Sequence, residues 1–226
     1  MDHTGIIPSM EESLFKPCVE GMDEILVEIA DIGLDHVLDG GLLQGIPVLS
    51  TIAALCKTGL NIRERNLIRQ TAIFITGFND KTIDPDKLTS YRKALESSPK
   101  KEEKELGRVV LLLNQSLEEK RSQVLGHFYN SYVRGAISWD KFVELSEVNS
   151  RMFMDDYKVL NVIYLTPIKD DADVSDDQMY HIQRLESLGL ILENKIRLFD
   201  GSSISYPDTD DRFVVSTLGK TFMNLM

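Results

Sequence analysis

Apolar residues recur at steps of three and four positions through most of the chain, which is the spacing of one face of an α-helix. The pattern begins at Val19 and continues to about residue 165. Residues suited to a helix cap or to a first helical turn stand where successive runs begin: Pro47, Asn61, Asp84-Pro85, Ser98-Pro99 and Ser138. The sequence therefore predicts a mainly α protein, with a multi-helix N-terminal bundle over residues 19–165 and a flexible arm over residues 1–18.

The most apolar segment of the chain is residues 42–56, LLQGIPVLSTIAALC. A membrane-spanning helix needs about 20 apolar residues, so this segment is short for a span. We expect it to form a buried helix of the bundle. The alternative is an interfacial membrane segment, because the stretch that follows is basic and such a flank contacts anionic lipid. The residues of this flank, which are candidates for contact with anionic lipid or with a partner, are Lys57, Arg63, Arg65 and Arg69.

The helical periodicity gives way to proline and acidic residues at 166–174, TPIKDDADV. Ser175 and Gln178 then have the spacing of a capping box, which predicts the start of a new helix. Two short apolar runs separated by polar turn residues predict strands, and an amphipathic stretch closes the chain. The sequence therefore predicts a small α+β module at residues 166–226.

Two motifs stand out in this module, RLESLGLI and VSTLGKTFMNL, separated by a predicted hairpin. Their order resembles the latter half of winged-helix domains. In those domains a helix ends in a Leu-Gly-Leu step, a hairpin called the wing follows, and a Ser/Thr-x-x-Gly turn leads into a closing helix. The resemblance covers about residues 158–226. It implies a contact face on the helix and the wing, whose residues here are Tyr180, His181, Gln183, Arg184, Lys195 and Arg197.

The rest of the chain contains the stretches IPVL, NIRERN, GAISWDKFVEL and DDYKVL. Together they resemble bacterial helical proteins that have no assigned activity. There is also a general likeness to proteins found near mobile elements or defence systems. The resemblance implies no activity, cofactor or site residue, because a shared fold does not carry a shared function.

The chain is acidic, with 36 Asp and Glu against 25 Lys and Arg and a formal charge of −11. Phosphate backbones repel such a protein, so nucleic acid is not an expected partner. DNA binding would need a local basic surface, for which Arg184, Lys195 and Arg197 are the candidates. Acidic residues surround them in the sequence. We therefore expect the C-terminal module to contact protein or to pack on the helical part of the chain.

No catalytic set, cofactor site or metal site is recognisable in the sequence. Cys18 and Cys56 are far apart and the four histidines are scattered, so a zinc site is not expected. Residues 171–177 open like a calcium loop but lack its glycine and its bidentate glutamate. Asp155 and Asp156 are adjacent on a predicted helix, so their side chains diverge by about 100° and do not share a substrate.

The expected location follows from the first residues and from the few cysteines. The start of the chain shows no basic region followed by an apolar one, so we do not expect a signal peptide. Two cysteines do not suggest a disulfide scaffold, which suits a reducing compartment. We expect a cytoplasmic protein, with a peripheral position at the membrane as the alternative.

Three functions remain open on this basis. The leading hypothesis is a non-enzymatic interaction or regulatory protein, which binds another protein or itself through the helical body and the winged-helix-like tail. An exposed apolar patch on the folded surface would favour it. The first alternative is a membrane-associated effector in which residues 42–56 leave the core. The second alternative is a winged-helix DNA-binding regulator, which requires a continuous basic surface.

Overall fold

The computed structural model describes residues 5–15, 45–55, 61–169, 174–197, 203–205 and 211–226. Within these ranges the chain forms ten helices and two small sheets of two strands each, so the mainly helical prediction is confirmed. The helices are α1 Ile6–Phe15, α2 Pro47–Leu55, α3 Ile62–Asn79, α4 Pro85–Glu96, α5 Pro99–Gln115, α6 Glu119–Val133, α7 Trp139–Arg151, α8 Met154–Leu165, α9 Asp176–Ser187 and α10 Thr217–Leu225. The strands are β1 Ile191–Glu193, β2 Lys195–Arg197, β3 Ser203–Ser205 and β4 Phe213–Val215.

Several predicted helix starts coincide with side-chain caps in the structure. Asn61 caps α3 and forms a capping box with Glu64, in which each side chain bonds the backbone amide of the other residue. Asp84 accepts hydrogen bonds from two backbone amides at the start of α4. Ser175 and Gln178 form the predicted capping box of α9. Local polar residues therefore set these starts, because they satisfy amides that have no partner within the helix.

Residues 6–15 form a helix rather than part of the flexible arm that the sequence predicts. Three apolar side chains spaced four residues apart on one face of α1 are buried: Ile6, Met10 and Leu14. Ser13 Oγ accepts a hydrogen bond of 2.9 Å from the Val48 amide, which ties α1 to α2. Pro8 lies in the first turn of α1, where proline is tolerated. The rest of the predicted arm and the helix predicted from Val19 lie outside the described residues.

The chain divides into two compact units, Met1–Ser146 and Glu147–Met226. The division lies inside α7, whereas the sequence pattern places the domain boundary at residues 165–166. It assigns α8 to the second unit, where this helix packs against α9, β4 and α10. The rings of Tyr157 on α8 and Phe222 on α10 are 6.3 Å apart.

The first unit is organised around α3 and α6, which run parallel and in close contact. Ser122 Oγ on α6 donates to Gln70 Oε1 on α3 at 2.6 Å, and the Asn130 amide nitrogen donates to the Phe78 carbonyl at 2.6 Å. The bonded pairs advance together along both helices, which fixes the parallel direction. A Cβ atom on Gly126 would lie only 2.3 Å from the Phe74 carbonyl oxygen, so glycine is required for this approach.

The second unit contains a small antiparallel sheet beside α8 and α9. In the pair β1–β4, Ile191 lies opposite Val215, and both side chains are buried. Ile168, which follows α8, forms a single antiparallel bridge to Phe213 of β4. The strands β2 and β3 form a separate antiparallel pair. Phe213–Val215 is therefore the returning strand that the sequence predicts.

The two motifs of the C-terminal module meet at one joint. Gly189 ends α9 with a φ of 73°, which is the left-handed region that favours glycine. Ser216 Oγ donates to the Gly189 carbonyl at 2.6 Å, and the Ser216 amide donates to the Leu190 carbonyl at 2.9 Å. The Gly219 amide donates to Ser216 Oγ at 2.9 Å, so Ser216 also caps α10. The Leu-Gly-Leu step and the Ser-x-x-Gly turn thus fix the end of α9 against the start of α10.

Candidate interaction surfaces

Asp156 is a fully buried carboxylate near the start of α8 in the second unit. Arg184 of α9 donates to both of its oxygens, from Nε to Oδ2 at 2.8 Å and from Nη2 to Oδ1 at 3.0 Å. His181 lies one turn earlier on α9, with Nδ1 2.7 Å from Oδ1, and the Phe153 amide donates to Oδ2 at 2.6 Å. These contacts satisfy both carboxylate oxygens, as a buried charge requires. We call Asp156, His181 and Arg184 the Asp156 clasp.

The environment of Asp156 keeps this carboxyl group ionised. Burial raises the pKa of Asp156, but hydrogen bonds from Arg184, His181 and the Phe153 amide, with the charge of Arg184, outweigh burial and lower the pKa overall. The guanidinium of Arg184 also lies over the ring of Phe153, 4.3 Å from the ring centroid, where it is attracted to the aromatic face. The clasp therefore joins α8 and α9 through an ion pair at neutral pH.

The residues predicted to form the contact face of the winged-helix-like module divide into three groups. Tyr180 and Gln183 are exposed on α9, and Tyr180 has 69% of its surface in solvent. His181 and Arg184 belong to the Asp156 clasp. The other two residues lie at the ends of β2, where Lys195 is opposite Ser205 and Arg197 is opposite Ser203.

The outward face of α8 carries an apolar pair. Val162 is 55% exposed and Leu165 is 71% exposed, and their spacing of three residues puts them side by side on one face of the helix. Asn161 and Lys158 are also exposed on this side. The opposite side of α8 holds the buried Leu160 and Ile163. We call Val162 and Leu165 the α8 face.

In the first unit, the described part of the predicted apolar segment lies mostly inside the core. Its buried side chains are Ile46, Val48, Leu49 and Ile52. Ala54 and Leu55, at the end of α2, are exposed. Lys57 and the remainder of segment 42–56 lie outside the described residues. Among the residues that the structure describes, no helix has both the length and the apolar character needed to cross a membrane.

One end of the first unit exposes aliphatic side chains beside cations. Ile62, in the first turn of α3, is 89% exposed, and Leu117, in the turn before α6, is 77% exposed. Leu111 in the last turns of α5 is 51% exposed. Arg63 Nε donates to Asn114 Oδ1 at 3.1 Å, which joins the start of α3 to the end of α5. The residues that define this end surface are Ile62, Arg63, Leu111, Leu117 and Lys120.

The cations predicted to form a basic flank have different surroundings on α3. Arg63 is exposed and bonds the neutral side chain of Asn114, and no ion pair joins it to an acid among the described residues. Arg65 is half-buried. Arg69 forms an ion pair with Glu119 at the start of α6. Lys120, which the sequence does not single out, donates from Nζ to the neutral side chain of Gln123 at 3.3 Å.

A buried polar cluster in the first unit surrounds Glu105 of α5. Tyr91 donates to Glu105 Oε2 at 2.6 Å and Tyr132 donates to Oε1 at 2.8 Å. Tyr129 lies with its hydroxyl 2.7 Å from that of Tyr91. Burial, with the hydrogen bond to Glu105, raises the pKa of Tyr132, and burial raises that of Tyr129. The tyrosines therefore stay protonated and act as donors that fix α4, α5 and α6.

The described residues show no metal centre, since no group of three His, Cys, Asp or Glu side chains among them is placed to hold an ion. His127 is buried on α6, with Nε2 3.7 Å from Asp80 Oδ2. Cys18, Cys56, His3 and His36 lie outside these residues. Comparisons with protein-family models, with curated proteins and with solved structures each give no match to this chain.

Sequence reasoning missed the Asp156 clasp and both exposed apolar surfaces. One signal for the clasp was present, since His181 and Arg184 are three residues apart and so lie on one face of a helix. The buried acid that they bind is on another helix, so only the tertiary structure reveals it. Ile62 and Leu117 were missed because single apolar residues at element ends do not form a periodic pattern.

Proposed function

We propose that this protein is a non-enzymatic interaction protein whose second unit binds a partner protein through the α8 face. The observation that carries the proposal is the exposure of Val162 and Leu165 side by side on one helix. Full burial of a wholly exposed side chain of this kind contributes about 1.5–3 kcal/mol, and a partner that covers Val162 and Leu165 obtains the share that is still exposed. Lys158 and Asn161 border the pair, as polar residues border the apolar centre of protein interfaces.

The Asp156 clasp favours protein over DNA as the partner of this unit. A DNA-reading helix needs cations that reach phosphates or base edges. Here the guanidinium of Arg184 and the ring of His181 already bind a buried carboxylate. Two acids of α9, Asp177 and Glu186, are exposed. DNA binding would therefore require α9 to give up the bonds that hold it to α8.

The same unit is proposed to be winged-helix-like. Supporting observations are the antiparallel pair β1–β4 after α9 and the joint that Gly189, Ser216 and Gly219 form. A helix-turn-helix joins its two helices by a turn of about three or four residues. The connection between α8 and α9 is longer and contains the Ile168 bridge. This difference also favours a module that serves protein contact rather than insertion into a DNA groove.

Site-specific photocross-linking tests the proposal in the cells that make the protein. A photoreactive phenylalanine analogue replaces Asn161, which adjoins the α8 face, or Glu186, which is exposed on α9. We expect a discrete covalent adduct from position 161 and none from position 186. The mass of the adduct shows whether the partner is a different protein or a second copy of this chain.

A double variant, Val162→Lys/Leu165→Lys, is the control for specificity. Cations in the last turns of a helix suit its dipole, so the variant should fold normally. We expect the adduct from position 161 to disappear in this background. An adduct that persists at full yield, or equal labelling from positions 161 and 186, would contradict the proposal.

A further inference from the structure

We propose that the end surface of the first unit binds the interface of an anionic lipid bilayer. This binding is separate from the protein contact of the α8 face, since the two surfaces belong to different units and share no residue. The end surface combines aliphatic side chains in solvent with cations beside them, which is the combination that holds proteins at anionic membranes.

The aliphatic side chains are placed to enter a bilayer interface together. The helices α3 and α6 are parallel, so their first turns lie at the same end of the unit. Asn66 on α3 donates to the Ser116 carbonyl at 2.7 Å, which holds the turn that carries Leu117 beside the start of α3. Ile62 therefore lies in the same region as Leu117.

The degree of exposure favours lipid over a protein partner. Ile62 is 89% exposed and Leu117 is 77% exposed, so neither side chain makes much contact with the surface around it. The centre of a protein interface is packed as densely as a protein interior and needs complementary shape. A bilayer interface deforms around inserted side chains and needs no such fit.

The charges of the end surface suit anionic headgroups. Arg63 and Lys120 bond uncharged amides, at Asn114 and Gln123, so both charges remain available to an anion. The ion pair of Arg69 with Glu119 is neutral overall. The chain as a whole carries −11, but salt screens distant charges beyond about 10 Å at 0.1 M ionic strength. Residues 61–69 and 117–121 together hold five cations against three acids, Glu64, Glu118 and Glu119, so the charge at close range is positive.

This mode of binding needs no unfolding. An effector that used residues 42–56 would have to extract buried side chains such as Val48, Leu49 and Ile52 from the core. The end surface presents its aliphatic groups in the folded state. Binding should therefore leave the core of the first unit intact, with an unchanged circular dichroism spectrum.

Flotation of the purified full chain with vesicles tests the proposal. The vesicles contain phosphatidylcholine alone or phosphatidylcholine with phosphatidylserine. We expect flotation only with the anionic vesicles at about 0.1 M salt, and its loss at about 1 M salt, where screening shortens the reach of the cations. Vesicles with phosphatidylinositol in place of phosphatidylserine should float the chain equally well, because the end surface binds the negative charge of the headgroup.

Two double variants separate the contributions of the cations and of the aliphatic side chains to vesicle binding. Arg63→Glu/Lys120→Glu should lower the partition coefficient roughly tenfold or more. Both positions lie in first helical turns, where glutamate suits the helix dipole. Ile62→Gln/Leu117→Gln should also lower the partition coefficient by about tenfold or more, because the aliphatic groups no longer enter the interface.

The matched control is Lys81→Glu/Lys100→Glu, which changes the net charge by the same amount at exposed positions away from the end surface. We expect it to float like the unaltered chain. Two results would overturn the proposal. One is absence of flotation with the anionic vesicles, and the other is flotation that neither end-surface variant reduces. If the chain fails to float and a photocross-linker at Leu117 captures a protein, the end surface serves a protein partner instead.

Discussion

At the scale of single residues, the second unit depends on one buried charge. Asp156 has no exposed surface, and its two oxygens accept bonds from Arg184, His181 and a backbone amide. A buried ion pair of this kind contributes little beyond what apolar packing would, but loss of one partner leaves a charge without compensation. The packing of α8 against α9 therefore requires all three residues of the clasp.

We predict that Asp156→Asn lowers the free energy of unfolding by about 3 kcal/mol at neutral pH, because Arg184 loses its carboxylate. Denaturant titration measures this change. Asp155→Asn is the matched control, since Asp155 is exposed on the same turn and bonds only Lys158 among the described contacts. We expect the control to unfold like the unaltered chain. Equal free energies of unfolding for Asp156→Asn and Asp155→Asn would contradict a structural role for the clasp.

The lowered pKa of Asp156 predicts how the stability of the folded chain depends on pH. The pKa of Asp156 is lower in the folded chain than in the unfolded one, so the unfolded state takes up the proton first as the pH falls. The contribution of Asp156 is complete above the unfolded pKa of about 3.9. It is lost as the pH falls through the folded pKa. The difference in stability between the unaltered chain and Asp156→Asn should therefore shrink under acidic conditions, and a constant difference would be a contradiction.

At the scale of elements, the first unit depends on the close parallel approach of α3 and α6. Gly77 and Gly126 permit it, since a Cβ at Gly77 would lie 2.3 Å from the Gln123 carbonyl oxygen. We predict that Gly126→Ala lowers the free energy of unfolding by about 2–3 kcal/mol, because the helices must separate. Gly107→Ala is the control. Among the described residues its Cβ would meet only Ile7 Cδ1 at 3.6 Å, so alanine should raise stability by about 0.5–1 kcal/mol.

The starts of elements were the most predictable part of the fold. Asn61, Asp84 and Ser175 act through bonds to amides a few residues away, so the sequence contains the whole interaction. Ser138 was likewise identified from the sequence as the start of a helical run, and α7 begins at Trp139. Contacts between distant residues, such as Glu105 with Tyr132, leave no comparable local signal.

At the scale of the whole molecule, the sequence predicted a helical protein but not its surfaces. The periodic pattern identifies which faces are apolar, and burial of Ile46, Val48, Leu49 and Ile52 in segment 42–56 agrees with it. It does not identify the apolar residues that stay in solvent. Leu160 and Ile163 belong to the periodic apolar pattern of α8 and are buried, whereas Val162 and Leu165 lie outside that pattern and are exposed. The candidate surfaces therefore required the three-dimensional arrangement.

The measurement that tests the central claim most directly is calorimetric titration of the full chain with the partner that position 161 cross-links. The α8 variant, Val162→Lys/Leu165→Lys, is compared with Gln183→Lys/Ser187→Lys, which adds the same charge on α9. We predict that the α8 variant binds about 100-fold more weakly or worse, since each buried side chain contributes at least about tenfold in affinity. The α9 variant should bind as the unaltered chain does. Unchanged affinity of the α8 variant, or a loss confined to the α9 variant, would contradict the claim that the α8 face is the binding surface.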